Sequence, residues 1–276
     1  MKFIQDLLLK HQITEYGIID LEKLSVINPR LLPDKKIQSV LITLLPYRTG
    51  NIIIKDNYNM GLFARTRDYH SVYADIAKSV IPELTNSYGG EVFFFADHSP
   101  INEKDAATKC GLGFIGRNSL LINQKYGSFV FIGCFLFTEK LEEVIRNGKK
   151  GCGDCKRCEN ACPTGAISYG IVNLERCLSG ISQKKKKTEE ELSLLQDTKT
   201  VWGCDICQNA CPYNKKALKS CIIEFDKDSL GNISAEIINS MEEDVYKQYA
   251  FSYRPKKVIA ENFLTADGKR DIINQA

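Results

Sequence analysis

Two stretches hold most of the residues that could do chemistry. Gly151–Pro163 reads GCGDCKRCENACP, and Trp202–Asn214 reads WGCDICQNACPYN. The first carries Cys152, Cys155, Cys158 and Cys162, separated by two, two and three residues and followed by a proline. Thiolate sulfur suits iron, and short spacers let one segment wrap three corners of a cubane. This run is therefore the pattern that holds one [4Fe–4S] cluster and lends its fourth cysteine to a second. Structural zinc would use two CxxC pairs and leaves the repeated CxxxCP unexplained. The second stretch is an imperfect copy. Val201 stands where a first cysteine would be, leaving Cys204, Cys207 and Cys211 ahead of Pro212. By the crossing rule, one cluster takes Cys152, Cys155, Cys158 and Cys211; the other takes Cys162, Cys204 and Cys207 and needs a fourth ligand. Cys177, the nearest spare thiol, is assigned to it. Cys110, Cys134 and Cys221 remain, each in an apolar or helical context that reads as a small buried side chain.

With 276 residues the chain is long enough for two domains and a sizeable core, and its 43% hydrophobic content is that of a globular protein. No apolar run is long enough to span a bilayer, and Met1–Ile13 is a short amphipathic pattern without the arrangement of a signal peptide. Eleven cysteines in a secreted protein would suggest disulfides, but the cluster spacing of the two runs argues for a reducing cytoplasm. A net charge of +3 does not diagnose a nucleic-acid binder. Its distribution says more: Lys149, Lys150, Lys156, Arg157, Lys184–Lys187, Lys215, Lys216 and Lys219 crowd the cysteine-rich third, as a solvated basic face or a surface for a polyanion.

The elements that must position these residues follow from periodicity. Phe3–Gln12 reads as a helix with Phe3, Ile4, Leu7 and Leu8 on one face, and Gly17–Ile19 as a short strand. Ser39–Leu45 is a nearly continuous apolar run, hence a buried strand stopped by Pro46. Asn51–Gly61 reads as a loop. Asp68 caps a helix over Asp68–Leu84 that Pro82 kinks or ends. Glu91–Ala96 is a second buried strand and Ile101–Lys109 a helix closed by Gly111. Ser119–Ile122 and Phe129–Phe137 are strands. Glu139–Lys150 is a charged linker, Gln183–Glu191 a Lys/Glu-rich insertion, and Ile233–Ala276 has helical segments without metal ligands. Alternating strands and helices predict an α/β or α+β layered domain ahead of the cysteines.

Two clusters make an electron wire. A wire alone would be a ferredoxin-type carrier, but about 150 residues precede it, more than a carrier requires. They suggest a reductase that uses the electrons within the chain. The motifs FARTRDYH at Phe63–His70, ADHSPINEKDAATKCGLGFIGRN at Ala96–Asn118, YGSF at Tyr126–Phe129, RCLS at Arg176–Ser179 and the two cysteine stretches stand in order. In that order and spacing, from Ser39 to Lys215, the sequence resembles the epoxyqueuosine reductase family, cobalamin-dependent iron–sulfur enzymes of tRNA modification.

The resemblance implies a nitroreductase-like α/β domain at 1–140 holding the corrinoid and substrate, a double [4Fe–4S] ferredoxin-like domain at 141–220, and a short helical tail at 221–276. It implies that Cys177 completes the second cluster and that Asp97 is the proton donor. Desolvation at the end of a buried strand would keep that carboxyl protonated. The alternative for Asp97 is a cap for the following turn, and Glu103 is a weaker acid candidate, read as a first-turn helix carboxylate. The implied corrin contacts are Arg65, Asp97, Ser119, Leu121, Asn123, Ile132, Phe135 and Asp205. His70 and His98 read as structural rather than as cobalt ligands. Gln183 and Lys185 match tRNA contacts, with Lys184–Lys187 giving phosphate attraction a physical basis. An external flavodoxin or ferredoxin would donate the electrons. Ser252–Ala266 resembles the start of the family's helical repeats, so a full tRNA-gripping array is not expected here. Thr108, in place of glutamate, and Arg117, in place of lysine, are milder departures. Another corrinoid-dependent iron–sulfur reductase, with a substrate other than tRNA, and a two-cluster ferredoxin-type electron carrier are the alternatives.

Overall fold

The computed structural model describes residues 2–50, 52–148, 151–227 and 229–269. Lys149 and Lys150 of the basic run, and the end of the expected helical tail at 270–276, lie outside the described residues. In chain order the first part runs α1 (Lys2–Lys10), β1 (Glu15–Asp20), β2 (Ser39–Pro46), β3 (Asn59–Met60), α2 (Tyr69–Tyr88), β4 (Val92–Phe95), α3 (Glu103–Lys109), β5 (Phe114–Ile115), β6 (Leu121–Ile122) and β7 (Val130–Phe137). The cysteine-rich part holds α4 (Arg157–Ala161), β8 (Ile167–Ser168), β9 (Ile171–Val172), α5 (Leu178–Ser182), α6 (Glu189–Asp197), β10 (Thr200–Trp202), α7 (Ile206–Asn209) and α8 (Pro212–Lys215). Then come α9 (Ile223–Lys227), α10 (Ala235–Ser240), α11 (Glu243–Tyr246) and α12 (Lys256–Ala266).

The frame is a sheet ordered β1-β2-β7-β4, antiparallel throughout. The fold is thus a mixed α/β one of the α+β kind. Both faces of the sheet are covered, which is why β2 and β7 read as unbroken apolar runs. Side chains alternate between the faces. Leu41, Leu45, Phe135 and Phe137 pack with α1 and α2, while Val40, Ile42, Leu44, Cys134 and Leu136 pack with Ala106, Ala107 and Cys110 at α3. A third core joins Met60 and Trp202 to Ile238, Phe251, Ile259 and Phe263 near the C-terminus.

Several expectations shift for identifiable reasons. Asp68 does cap α2, accepting from the His70 amide, but Pro82 does not end the helix, which runs on to Tyr88 with Val80 and Leu84 buried on either side of the proline. The segment Glu91–Ala96 is an edge strand with only Val92 buried, because β4 pairs on one side alone. The loop 52–61 ends in β3, which pairs in parallel with β10, a non-local partner that no local pattern announces. The Lys/Glu-rich insertion leads into α6, started by a capping box in which Thr188 and Glu191 each bond the other's backbone. Cys110 and Cys134 are buried, but Cys221 is exposed; its neighbour Ile222 takes the inward position instead.

Arg65 anchors the junction between the third core and the sheet. Its guanidinium is fully buried against Asp56 in a two-pronged pair at 2.7 and 2.9 Å, and it also donates to the Leu230 carbonyl. Removing one partner leaves the other charge buried and uncompensated. Asp56→Ala is expected to cost about 3–5 kcal/mol in urea unfolding.

Candidate functional site

The crossing pattern read from the spacing is realised as two separate cavities. Cys152, Cys155, Cys158 and Cys211 line one; Cys162, Cys177, Cys204 and Cys207 line the other. Short helices deliver them. Cys158 sits in α4 and Cys162 at its C-cap, Cys177 caps the N-terminus of α5, Cys207 lies in α7, and Cys211 caps α8 with Pro212 at its first position. Gly203, at φ +63°, turns the chain into Cys204 where a side chain would strike the Phe63 ring at 2.7 Å. Among the described residues no three His, Cys, Asp or Glu side chains converge closely enough for a single metal ion, and a cubane holds its thiolates further apart than that.

The chemistry of the donor set fits clusters. Burial pushes the Cys207 thiol up to about 12 and raises Cys204 and Cys211, so a bound cluster would be needed to hold them as thiolates. Hydrogen bonds aimed at sulfur assist: Asn59 Nδ2 donates to Cys204 Sγ and the Ala166 amide to Cys162 Sγ, each at 3.3 Å.

A buried polar network ties the second cysteine stretch to the sheet domain. Asp205 accepts from the Leu62 amide at 2.7 Å and from Gln208 Nε2 at 2.8 Å. Gln208 Oε1 accepts from Ser128 Oγ at 2.8 Å and from the Tyr47 hydroxyl at 3.4 Å. Asn214 donates to Ser128 Oγ and to the Gln208 carbonyl, and Arg48 donates to the Asn214 carbonyl at 2.7 Å. Burial outweighs these bonds at Asp205 and pushes its carboxyl up to about 6.

The second cysteine set opens into a cavity of about 460 Å³, whose other walls include Tyr47, Phe63, Ser119, Leu120, Val130, Phe131 and Asp205. Tyr47 and Phe131 stack at 4.4 Å, and Phe131 stacks on Tyr69 at 3.9 Å. Of the implied corrin contacts, only Ser119 and Asp205 line this cavity. Arg65 is instead committed to Asp56. Leu121, Ile132 and Phe135 are core residues of the sheet domain, and the cavity is lined instead by Leu120 and by Val130 and Phe131 at the start of β7. Asn123 holds a turn, donating to the Leu112 carbonyl and accepting from Lys125 and Tyr126. The aromatic lining was missed, although Tyr47 directly follows β2 and Phe131 lies in β7, whose period assigns it a face.

Asp97 follows β4 with a left-handed backbone, φ +64°, and its side chain is 72% exposed. Its Oδ2 lies 3.8 Å from His70 Nε2, an ion-pair distance rather than a hydrogen bond, while His70 Nδ1 meets Asp68 Oδ1 at 2.8 Å. The His70 ring holds the Asp97 carboxyl below its usual range, against the effect of burial, and the two carboxylates raise His70 to about 9. The expectation that desolvation keeps Asp97 protonated is therefore corrected: the side chain is too exposed and too close to a cation. The protonated carboxyl is Glu103, which burial and then the neighbouring Asp97 charge push up to about 8. Its Oε1 is buried without a partner. His98 shows no comparable contact, and His70, read as structural, is the residue that faces Asp97.

Gln183 lines the same cavity at the end of α5 and accepts from the Tyr253 hydroxyl. Lys184 is paired with Glu175 and Glu191, and Lys187 donates to the Lys184 carbonyl; Lys185 and Lys186 are exposed.

Residues 151–214 match the family model for the 4Fe-4S double cluster binding domain. The epoxyqueuosine reductase of Leadbetterella byssophila is 34% identical over 205 residues, covering 72% of this chain and 66% of that protein. That of Atelocyanobacterium thalassa is 30% identical over 234 residues, covering 82% and 75%. The chain belongs to the epoxyqueuosine reductase family. Its matches span from about half to three quarters of the length of such relatives. The solved epoxyqueuosine reductase from Streptococcus thermophilus shares the fold, with a TM-score of 0.80 at 22% identity over 99% of this chain and 82% of that one. A crystal structure of an epoxyqueuosine reductase with an epoxyqueuosine-modified tRNA stem loop does so at 0.76 and 21%, over 98% and 80%. Among the described residues no helix is long and apolar enough to cross a membrane.

Glu103 gives a stability signature. Its folded pKa lies above the unfolded value, so the native state binds the extra proton and stability falls as pH rises from about 4.5 to about 8. Glu103→Gln removes the penalty. In urea unfolding the variant is expected to gain on the parent by roughly 2–4 kcal/mol between pH 5 and pH 8.5, with no gain at pH 4.

Proposed function

We propose that this chain reduces epoxyqueuosine in tRNA to queuosine, using a cobalamin fed by two [4Fe–4S] clusters, in the cytoplasm. The observation that carries this reading is one cavity walled on one side by Cys162, Cys177, Cys204 and Cys207 and on the other by the aromatic edge of the sheet domain. Its size lies within the range of cofactor sites, and its flat rings with a few polar groups suit a macrocycle. The Cys152 set and the Cys162 set are the proposed cluster ligands. A corrinoid bound there supplies the low-potential metal centre that epoxide reduction needs.

The reaction takes up two electrons and two protons, and the epoxide oxygen leaves as water as the ring carbons become an alkene. Asp97 is the proposed donor to that oxygen. The acid must be protonated at the moment of transfer, yet its resting state is ionised beside His70. The pair together holds one transferable proton, with His70 as the reservoir and Asp97 as the group that reaches substrate. Lys185 and Lys186 are free to meet phosphate, while Gln183 sits at the cavity mouth with its amide oxygen already engaged by Tyr253. A small flavodoxin- or ferredoxin-type protein is the proposed electron donor.

Expression in a cobalamin-supplied bacterium lacking its own reductase tests the reading by nucleoside mass analysis of its tRNA. Conversion of epoxyqueuosine to queuosine is expected, falling roughly 100- to 10,000-fold in Asp97→Asn. Purified enzyme is expected to lose turnover as pH rises through about 9, the His70 value, and His70→Gln to abolish that limb. No conversion by protein that carries both clusters and a corrinoid would move the substrate outside tRNA.

A further inference from the structure

Arg117, Asn118 and Ser119 thread between the two cysteine cavities. Arg117 lines the first, Ser119 lines the second, and Asn118 lines both. The left-handed backbone of Ser119, φ +58°, lets consecutive residues serve opposite sides. Asn118 is 5% exposed, and neither its Oδ1 nor its Nδ2 has a hydrogen-bond partner among the protein groups. A buried amide with both ends unpaired costs several kcal/mol in principle, so its place demands an explanation. Of its neighbours on the chain, Arg117 bonds Glu159 and the Gly153 carbonyl through its terminal nitrogens and keeps a buried, unpaired Nε, and Ser119 Oγ bonds the Gly170 carbonyl.

Room is kept for this amide. A side chain at Gly116 would come within 2.7 Å of Asn118 Oδ1. Cys204 and Cys207 line the second cavity with it, and Cys152, Cys155, Cys158 and Cys211 line the first, so a cluster in either cavity would bring its sulfide and thiolate acceptors toward the unpaired amide.

We propose that Asn118 is a positioning residue in the wall between the two cavities: its amide N–H groups bond cluster sulfur and raise the reduction potential of the cluster they reach. Hydrogen bonds to sulfur stabilise the more negative, reduced cluster. Arg117 is paired with Glu159 through Nη1, while its Nε is buried without a partner beside the first cavity.

The inference rests on the two-cluster reading and not on the identity of the substrate. Its test therefore uses the reconstituted full chain, iron and sulfide analysis, and a redox titration followed by electron paramagnetic resonance. Asn118→Leu keeps the shape and removes the donors. The expected result is unchanged iron and sulfide content with the midpoint of one cluster moved to lower potential and the other moved less. Asn118→Ser, which keeps a smaller donor, is expected to move the same midpoint less far, and it takes the place of the leucine variant if that protein does not load. Unmoved midpoints in either loaded variant would overturn the proposal. Loss of a cluster in both variants would also overturn it, by making Asn118 a scaffold residue. Absence of two clusters from the parent protein would instead sink the reading beneath it.

Discussion

Each cysteine cavity draws its sulfurs from two separated stretches, and much of the remaining structure serves to bring those stretches together. The segment around Cys158 and the segment around Cys207 touch through their short helices, α4 and α7. Neither segment has an apolar core of its own large enough to hold it. Phe114 and Ile122 pack on Cys211, and Leu178, Ile181 and Leu195 pack beside Cys204. Cluster iron would add the remaining constraint, since buried thiols favour their neutral form without a cation.

The sheet domain and the C-terminal helices both reach into this arrangement. From the sheet side come Tyr47 and Ser128, joined through Gln208 to Asp205 and Asn214. From the other side β3 pairs with β10 immediately ahead of Cys204, and Asn262 of α12 donates to the Val201 and Ser182 carbonyls at 2.8 and 2.7 Å. Replacing any one of these polar groups strands its partner in a dry environment, which is how such a network holds one geometry.

Outside the cavity lining, beyond the end of β4 and at the start of α3, the problem is protons rather than electrons. Three ionisable groups lie close together there, and their environments separate them. Asp97 is exposed and next to an imidazole; Glu103 has a carboxyl oxygen buried without a partner; His70 stands between two carboxylates. Environments that push neighbouring pKa values apart are the usual mark of acid–base work. The strained backbone at Asp97 agrees, because a non-glycine residue at positive φ persists only where the surroundings demand it.

How much was legible follows from the range of the signals. The cysteine spacing is a local code, so the grouping of the cysteines around the two cavities, including the crossing of Cys162 and Cys211, could be written down from the sequence, with Cys177 added as the nearest spare thiol. The unbroken runs of β2 and β7 and the Asp68 cap are equally local. The sequence by itself also determined the family, through motifs spread in order along the chain. It did not determine the side chains of the cavity. Arg65 belongs to a motif but its charge is consumed by Asp56, and position along β7 rather than face separates Val130 and Phe131, at the strand's start, from Ile132 and Phe135 on the same faces. It did not determine the acid–base assignment either, because a carboxyl's state depends on what lies across space, here His70 for Asp97 and burial for Glu103. The position of Asn118 between the cavities was likewise decided only by the tertiary structure: one left-handed residue sets which way three consecutive side chains point, and no periodicity encodes that.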